Sequence, residues 1–166
     1  TYCCAIAVNK GLVFVSDSRT NAGPDMVSVH SKMYGYGVPN ERQITVVTSG
    51  NLATSQAVNS RLRRDIRKNA KENLYSIDHL ADVAEYIGRL SREEQQKSAG
   101  TDINVESFFI VGGQIGTANP AVYMIYPQGN FISTSADTPY LQIGESKYGK
   151  PILDRILSPK ESLETA

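Results

Sequence analysis

Thr1 puts a hydroxyl and a primary α-amine on one residue. An α-amino group titrates at about 7.7–8.0 in model peptides, so near neutral pH it can take a proton from a neighbouring hydroxyl. A hydroxyl becomes a nucleophile when a base stands within hydrogen-bond reach, and a free N-terminal threonine supplies both groups. The plain alternative is an ordinary start from which a methionine has been removed. Asp17-Ser18-Arg19 sets an acid and an arginine two apart at the end of an apolar run. Such a pair is most simply a solvated ion pair of little energetic weight. Lys32, in Ser31-Lys32-Met33-Tyr34, is a single lysine on a half-apolar stretch, where lysines usually face water. Thr48-Ser49-Gly50 stands at a strand-to-helix junction, where backbone amides can bind an oxyanion. The glycine by itself would serve equally in a tight turn.

Other chemistries find less support. His30 and His79 stand far apart, no Cys/His spacing suits a metal, and each histidine reads as a surface or turn residue. Cys3 and Cys4 are neighbours whose side chains point to opposite faces of an extended segment, so they do not bridge each other. That usage fits a reducing compartment, and the start lacks the charged and apolar regions of a secretory signal, which points to the cytoplasm. Seventeen Lys+Arg balance seventeen Asp+Glu, so no global basic field favours nucleic acid. No apolar run approaches the roughly 18–20 residues of a membrane helix. A hydrophobic fraction of 40% and a charged fraction of 20% describe a folded globular chain. Gly112-Gly113-Gln114-Ile115-Gly116 lacks the lysine of a phosphate loop and reads as a hairpin turn, so no cofactor is expected.

The elements that must position these residues follow from pattern. At 166 residues the chain suits one domain with a real core. Tyr2–Val8 and Leu12–Ser16 are apolar runs about an Asn9-Lys10-Gly11 turn, a hairpin signal. After a loop over Asn21–Asp25, Val27–Tyr34 and Gln43–Thr48 read as a second strand pair joined by the turn-rich stretch Gly35–Glu41. Four strands thus precede any helix. Val58, Leu62 and Ile66 mark one helix. Ile77, Leu80, Ala81, Ala84, Ile87 and Leu90 mark a second, with Ser76 as its N-cap. After a polar loop over Lys97–Asn104, strands are expected at Ser107–Val111, Ala121–Tyr126, Asn130–Thr134 and Tyr140–Ile143. A third helix spans Tyr148–Leu157. Runs of strands followed by runs of helices indicate an α+β layered fold. Arg61, Arg63, Arg64, Arg67, Lys68 and Lys71 crowd the first helix as a solvated face or as a contact with an acidic neighbour, and Glu93-Glu94 could supply the opposite charge.

Taken together, Thr1, Asp17-x-Arg19, Lys32 and Ser49-Gly50 resemble the layout of proteasome β subunits. The stretches SDSRTNAG (16–23), TSGNLATSQAV (48–58) and IGESKYGKPILDR (143–155) resemble Anbu, the bacterial proteasome-like family, over nearly the whole chain. The resemblance implies an N-terminal nucleophile hydrolase: a four-layer αββα sandwich formed by residues 1–166 as a single domain, expected to lack its C-terminal strands here.

By the same resemblance Thr1 is the nucleophile and its amine the base. Lys32 lowers the cost of an alkoxide, Asp17 holds Lys32, Arg19 positions Asp17, and the Gly50 amide stabilises the oxyanion. A peptide substrate would add as a strand along Asn21 and Ser49-Gly50, with Leu52 lining a pocket for an apolar or medium side chain. Gly129 and Asn130 fall where proteasome subunits carry a Gly-Ser near the nucleophile, and the asparagine departs from that pattern. The implied partners are copies of the same chain, in a ring or open helical ring, and a polypeptide or peptide substrate, with any ATPase a separate protein. Three readings stand side by side: a threonine peptidase, a narrow amidase on the same fold, and a non-catalytic assembly or scaffold subunit.

Overall fold

The computed structural model describes residues 1–21, 27–97, 100 and 103–166, with the backbone alone at 20, 21, 27 and 28. Its first hairpin joins β1 (Tyr2–Val8) to β2 (Gly11–Ser16) through the Asn9-Lys10 turn, with Cys3 opposite Ser16. On its other edge β1 pairs antiparallel with β10 (Tyr140–Gly144), giving a three-stranded sheet in the order β10-β1-β2. A second antiparallel sheet runs in chain order through β5 (Met33–Val38), β6 (Arg42–Gly50), β7 (Ser107–Ile115), β8 (Ala121–Ile125) and β9 (Phe131–Ser133). Between the sheets in sequence, β3 (Arg19–Asn21) and β4 (Val27–Val29) form a short ribbon.

Alternation along the strands builds three apolar layers. Cys3 and Ala5 of β1 meet Val47, Ile110 and Val122 of the larger sheet, along with Leu141 and Ile143 of β10, and these fill the space between the sheets. The intervening Cys4, Ile6 and Val8 point the other way, against Leu153 and Leu157. Leu153 lies in α3 (Gly149–Ile156), which therefore covers the small sheet. On the far side of the large sheet, Ile44, Val46, Phe109, Val111 and Ile125 pack beneath α1 (Leu52–Arg67) and α2 (Leu80–Gln96). Helix, sheet, sheet, helix: the order is αββα, as expected. β1 is buried on both faces, and Thr1 directly precedes it.

The helices start where local side chains can satisfy their first amides. Asn51 caps α1, its Oδ1 accepting from Thr54 N at 3.0 Å. The expected cap at Ser76 is not realised, because α2 begins at Leu80 behind His79, an exposed residue. Ser76 Oγ instead accepts from Asn73 N at 3.0 Å, and Asn73 Oδ1 accepts from Tyr75 N at 2.8 Å, so both side chains are committed to a turn. Arg42 ties that turn to the large sheet by donating to Leu74 O and Ile77 O, at 3.1 and 2.8 Å.

Three boundaries differ from the sequence reading. The run Val27–Tyr34 breaks into β4 and β5 at His30–Lys32, and Arg19–Asn21 adds β3, so six strands precede α1 rather than four. Most of the turn-rich Gly35–Glu41 stretch is strand, and Tyr36 within it is buried. Gly112–Ile115 continues β7, and the turn begins at Gly116. The basic crowd on α1 is answered in part within the chain: Arg61 Nη1 lies 2.7 Å from Glu93 and 3.1 Å from Glu94 of α2. Among the described residues no helix is long and apolar enough to cross a membrane.

Leu62, 1% exposed, locks α1 onto the large sheet. Leu62→Ala is expected to cost roughly 2–5 kcal/mol in urea unfolding, the range of cavity-forming core truncations, and a loss under about 1 kcal/mol would contradict this packing. Cys3 and Cys4 are both buried, and burial pushes each thiol up to about 11. Since the thiolate is the reacting species, neither should react with an aromatic disulfide reagent at pH 8 in the native protein, whereas both should react after unfolding in guanidinium.

Candidate active site

At the mouth between the two sheets, Lys32 gathers residues that lie far apart in sequence. It follows β4 and precedes β5, and it is 5% exposed, so its ammonium needs close partners. Three are present. Nζ donates to Thr1 Oγ1 at 2.7 Å, to Asp17 Oδ1 at 2.6 Å and to the carbonyl of Arg19. The other Asp17 oxygen lies 3.7 Å from the Thr1 α-amine, so one carboxylate bridges the lysine and the chain start. Removing one partner of a pair held at a buried lysine strands a charge, which typically costs more than the intact pair contributes.

Backbone connections hold this cluster to the frame. Asp17 N donates to Tyr2 O at 3.1 Å, setting the end of β2 beside the start of β1. Thr48 N donates to Lys32 O at 2.9 Å, and Cys3 Sγ donates to Thr48 O at 3.4 Å, joining both sheets behind the nucleophile candidate. Thr1 O accepts from Glu145 N at 2.8 Å. Gly144 makes that approach possible: its φ is +88°, and a Cβ there would stand 2.1 Å from Thr1 O.

Gly50 ends β6 on the exposed side of this mouth, with φ at +95° and no room for a side chain against Glu106 O. Ser49 beside it is buried, and Leu52 is the half-buried first residue of α1. A cleft of about 400 Å³ opens here, with Gly50, Phe108, Met124, Tyr126, Ile143 and Gly144 among its walls. The site thus offers a hydroxyl and an amine on one residue, a cation against the hydroxyl, and a backbone turn beside an apolar cleft. That set can perform nucleophilic acyl chemistry without a metal ligand set, and among the described residues no group of His, Cys, Asp and Glu has metal-binding geometry.

Sequence reasoning picked out Thr1, Asp17, Lys32 and Gly50, and the fold brings the first three into hydrogen-bonded contact. Arg19 takes part differently from the expectation. Its side chain is exposed and forms no ion pair with Asp17 among the described residues; its carbonyl meets Lys32 instead. No sequence signal reports which carbonyl a lysine will find. Asn21 pairs with Val27 in the β3–β4 ribbon, and its side chain lies outside the described residues. Gly129 and Asn130 close the β8–β9 turn, where Gly129 packs against the backbone of Gly88 in α2. Asn130 is exposed, and no hydrogen bond links its side chain to Thr1 among the described residues. Gly144 and Glu145, which hold the Thr1 carbonyl, carried no role in the sequence reading. A glycine ending a strand was the available sign.

The sequence profile described as "Proteasome subunit" matches residues 1–166. The structure is similar to Anbu (ancestral beta-subunit) from Yersinia bercovieri at 43% identity and a TM-score of 0.95, covering 100% of this chain and 70% of that one. It is similar to the Anbu complex from Pseudomonas aeruginosa, solved as a helical assembly, at 46% identity and a TM-score of 0.95, over 99% of this chain and 69% of that one. Anbu from Hyphomicrobium sp. strain MC1 matches at 38% identity and a TM-score of 0.90, over 99% and 69%. No curated protein matches significantly. The profile match over the full length and the close likeness to three bacterial Anbu structures place this chain in the Anbu family of proteasome subunits.

Proposed function

We propose that this protein is an N-terminal threonine hydrolase of the proteasome type, cleaving peptide or amide bonds through an acyl-ester on Thr1. The observation that carries this reading is the contact of Lys32 Nζ with both Thr1 Oγ1 and Asp17, at 2.7 and 2.6 Å. An ion-paired lysine this close favours negative charge on the hydroxyl oxygen as it attacks. The α-amine of Thr1 takes the hydroxyl proton, and Oγ1 bonds to the substrate carbonyl carbon. The resulting oxyanion is held by the Gly50 amide. As the C–N bond breaks, the amine's added proton passes to the leaving nitrogen. Water, deprotonated by the same amine, then attacks the ester, releases the acid and restores Thr1. Asn21, Ser49 and Gly50 would align an extended substrate, with Leu52 at the first side-chain pocket.

Residues 1–166 act in this reading as one proteasome-like domain in the cytoplasm, within a ring-like or open helical assembly of identical copies. The helical assembly of the Pseudomonas aeruginosa relative supports the last point. Sedimentation of the purified protein checks it.

In a fluorogenic-peptide assay, Thr1→Ala is expected to fall to background, and Lys32→Met to lose roughly 10²–10³-fold, the range for removing one group that stabilises developing negative charge. Both variants should keep the wild-type circular-dichroism spectrum. Activity persisting in a folded Thr1→Ala protein would refute the assignment.

A further inference from the structure

The basic residues of α1 divide into two sets. Arg61 is committed, its Nη1 lying 2.7 Å from Glu93 and 3.1 Å from Glu94 of α2. Lys97, at the end of α2, donates to both oxygens of Glu94 at 2.7 Å. Those two cations answer the two glutamates. Arg64 reaches only Asp65, at 3.4 Å, and Asp65 also accepts from Tyr86 OH at 2.6 Å. Arg67, in the last turn of α1, forms no ion pair among the described residues. Both arginines are exposed.

Arg61, Arg64, Arg67, Glu93, Glu94 and Lys97 line one groove of about 650 Å³ between the helices. With the glutamates answered, Arg64 and Arg67 set its sign, which is positive although the chain as a whole is neutral. Arg61 contributes a further donor, because its Nε is buried and has no acceptor among the described residues. A donor left in that state gains from any oxygen that reaches it.

Spacing selects among anions. Arg64 and Arg67 stand three apart on a helix, with about 5–6 Å between their Cβ atoms. Two acidic side chains one turn apart on a partner helix have the same separation and can meet the two guanidiniums in register. A phosphate chain carries charge without a break, so in this groove it would also lie against Glu93 and Glu94. A polypeptide can set Glu or Asp at the arginines and neutral residues at the glutamates. A second copy of this chain fits poorly. Its acidic pair one turn apart, Asp82 and Glu85, continues along α2 into Arg89 and Arg92, which would bring cations to the arginines as well.

We propose that the α1–α2 groove docks an acidic helix of another polypeptide, with Arg64 and Arg67 as its anchors. The proposal does not depend on the chemistry of Thr1.

The probe is a labelled alanine-rich helical peptide with glutamates three and four residues apart, compared with its glutamine counterpart by fluorescence anisotropy at low salt. The glutamate peptide should bind about tenfold more tightly, the scale of two exposed ion pairs, and the difference should shrink as salt is raised. Arg64→Gln/Arg67→Gln should abolish the difference. Lys147→Gln/Lys150→Gln, which removes the same charge at the start of α3, should preserve it. Equal binding of the two peptides, binding too weak to measure, or a preference that survives in Arg64→Gln/Arg67→Gln would overturn the proposal. So would inorganic polyphosphate binding through the two arginines more tightly than the peptide, which makes the groove a general polyanion site. A change in the sedimentation of the protein alone on Arg64→Gln/Arg67→Gln would overturn it too, by making the face a contact between copies.

Discussion

The organisation of this protein turns on one buried amine. Lys32 is 5% exposed and reaches a hydroxyl, a carboxylate and a carbonyl at once. An ammonium in that setting is tolerable only when its partners are fixed, because each one lost leaves charge without solvation. Three chain segments must therefore arrive at a common point: the first residue, the end of the first hairpin, and the short link into the second sheet. The remaining architecture can be understood as what holds those three ends together.

The frame does this by burying β1 on both faces. Alternate residues of the strand serve two different apolar layers, so a register slip of one residue would exchange them and displace Thr1 as well. Backbone bonds finish the work at the mouth, from Glu145 N to Thr1 O and from Asp17 N to Tyr2 O. The candidate site groups are thus positioned by main-chain pairing. The cysteines that flank the site in sequence are absorbed in packing: Cys3 joins the layer between the sheets, and Cys4 faces α3. Burial keeps their thiols well above neutrality, which suits a structural role beside the Thr1 hydroxyl.

Much of this was legible in the residues alone. The first hairpin and the first two helices follow from apolar patterning, whereas the αββα layer order was what the resemblance to proteasome subunits implied. Thr1, Asp17, Lys32 and Gly50 stood out as residue types able to share one chemistry. What escaped the reading was set by local competition or by distance. Ser76 looked like a cap, yet Asn73 and Ser76 satisfy each other's surroundings, and α2 starts only at Leu80. Val27–Tyr34 looked continuous, yet Lys32 turns its side chain toward Thr1, and the strand breaks there. Arg19 was read through its guanidinium, whereas its carbonyl makes the contact. Gly144 supports Thr1 from more than a hundred residues away, a relation that spacing cannot reveal.

The central claim is that the hydroxyl and amine of Thr1 form one activated pair. An epoxyketone tests this directly, because it needs both groups on a single residue to close a stable ring. Intact-protein mass spectrometry after such treatment should show one adduct per chain, located on Thr1 and absent from Thr1→Ala. A folded, assembled protein with a free N-terminus that stays unmodified would contradict the account and leave the same fold serving as a scaffold.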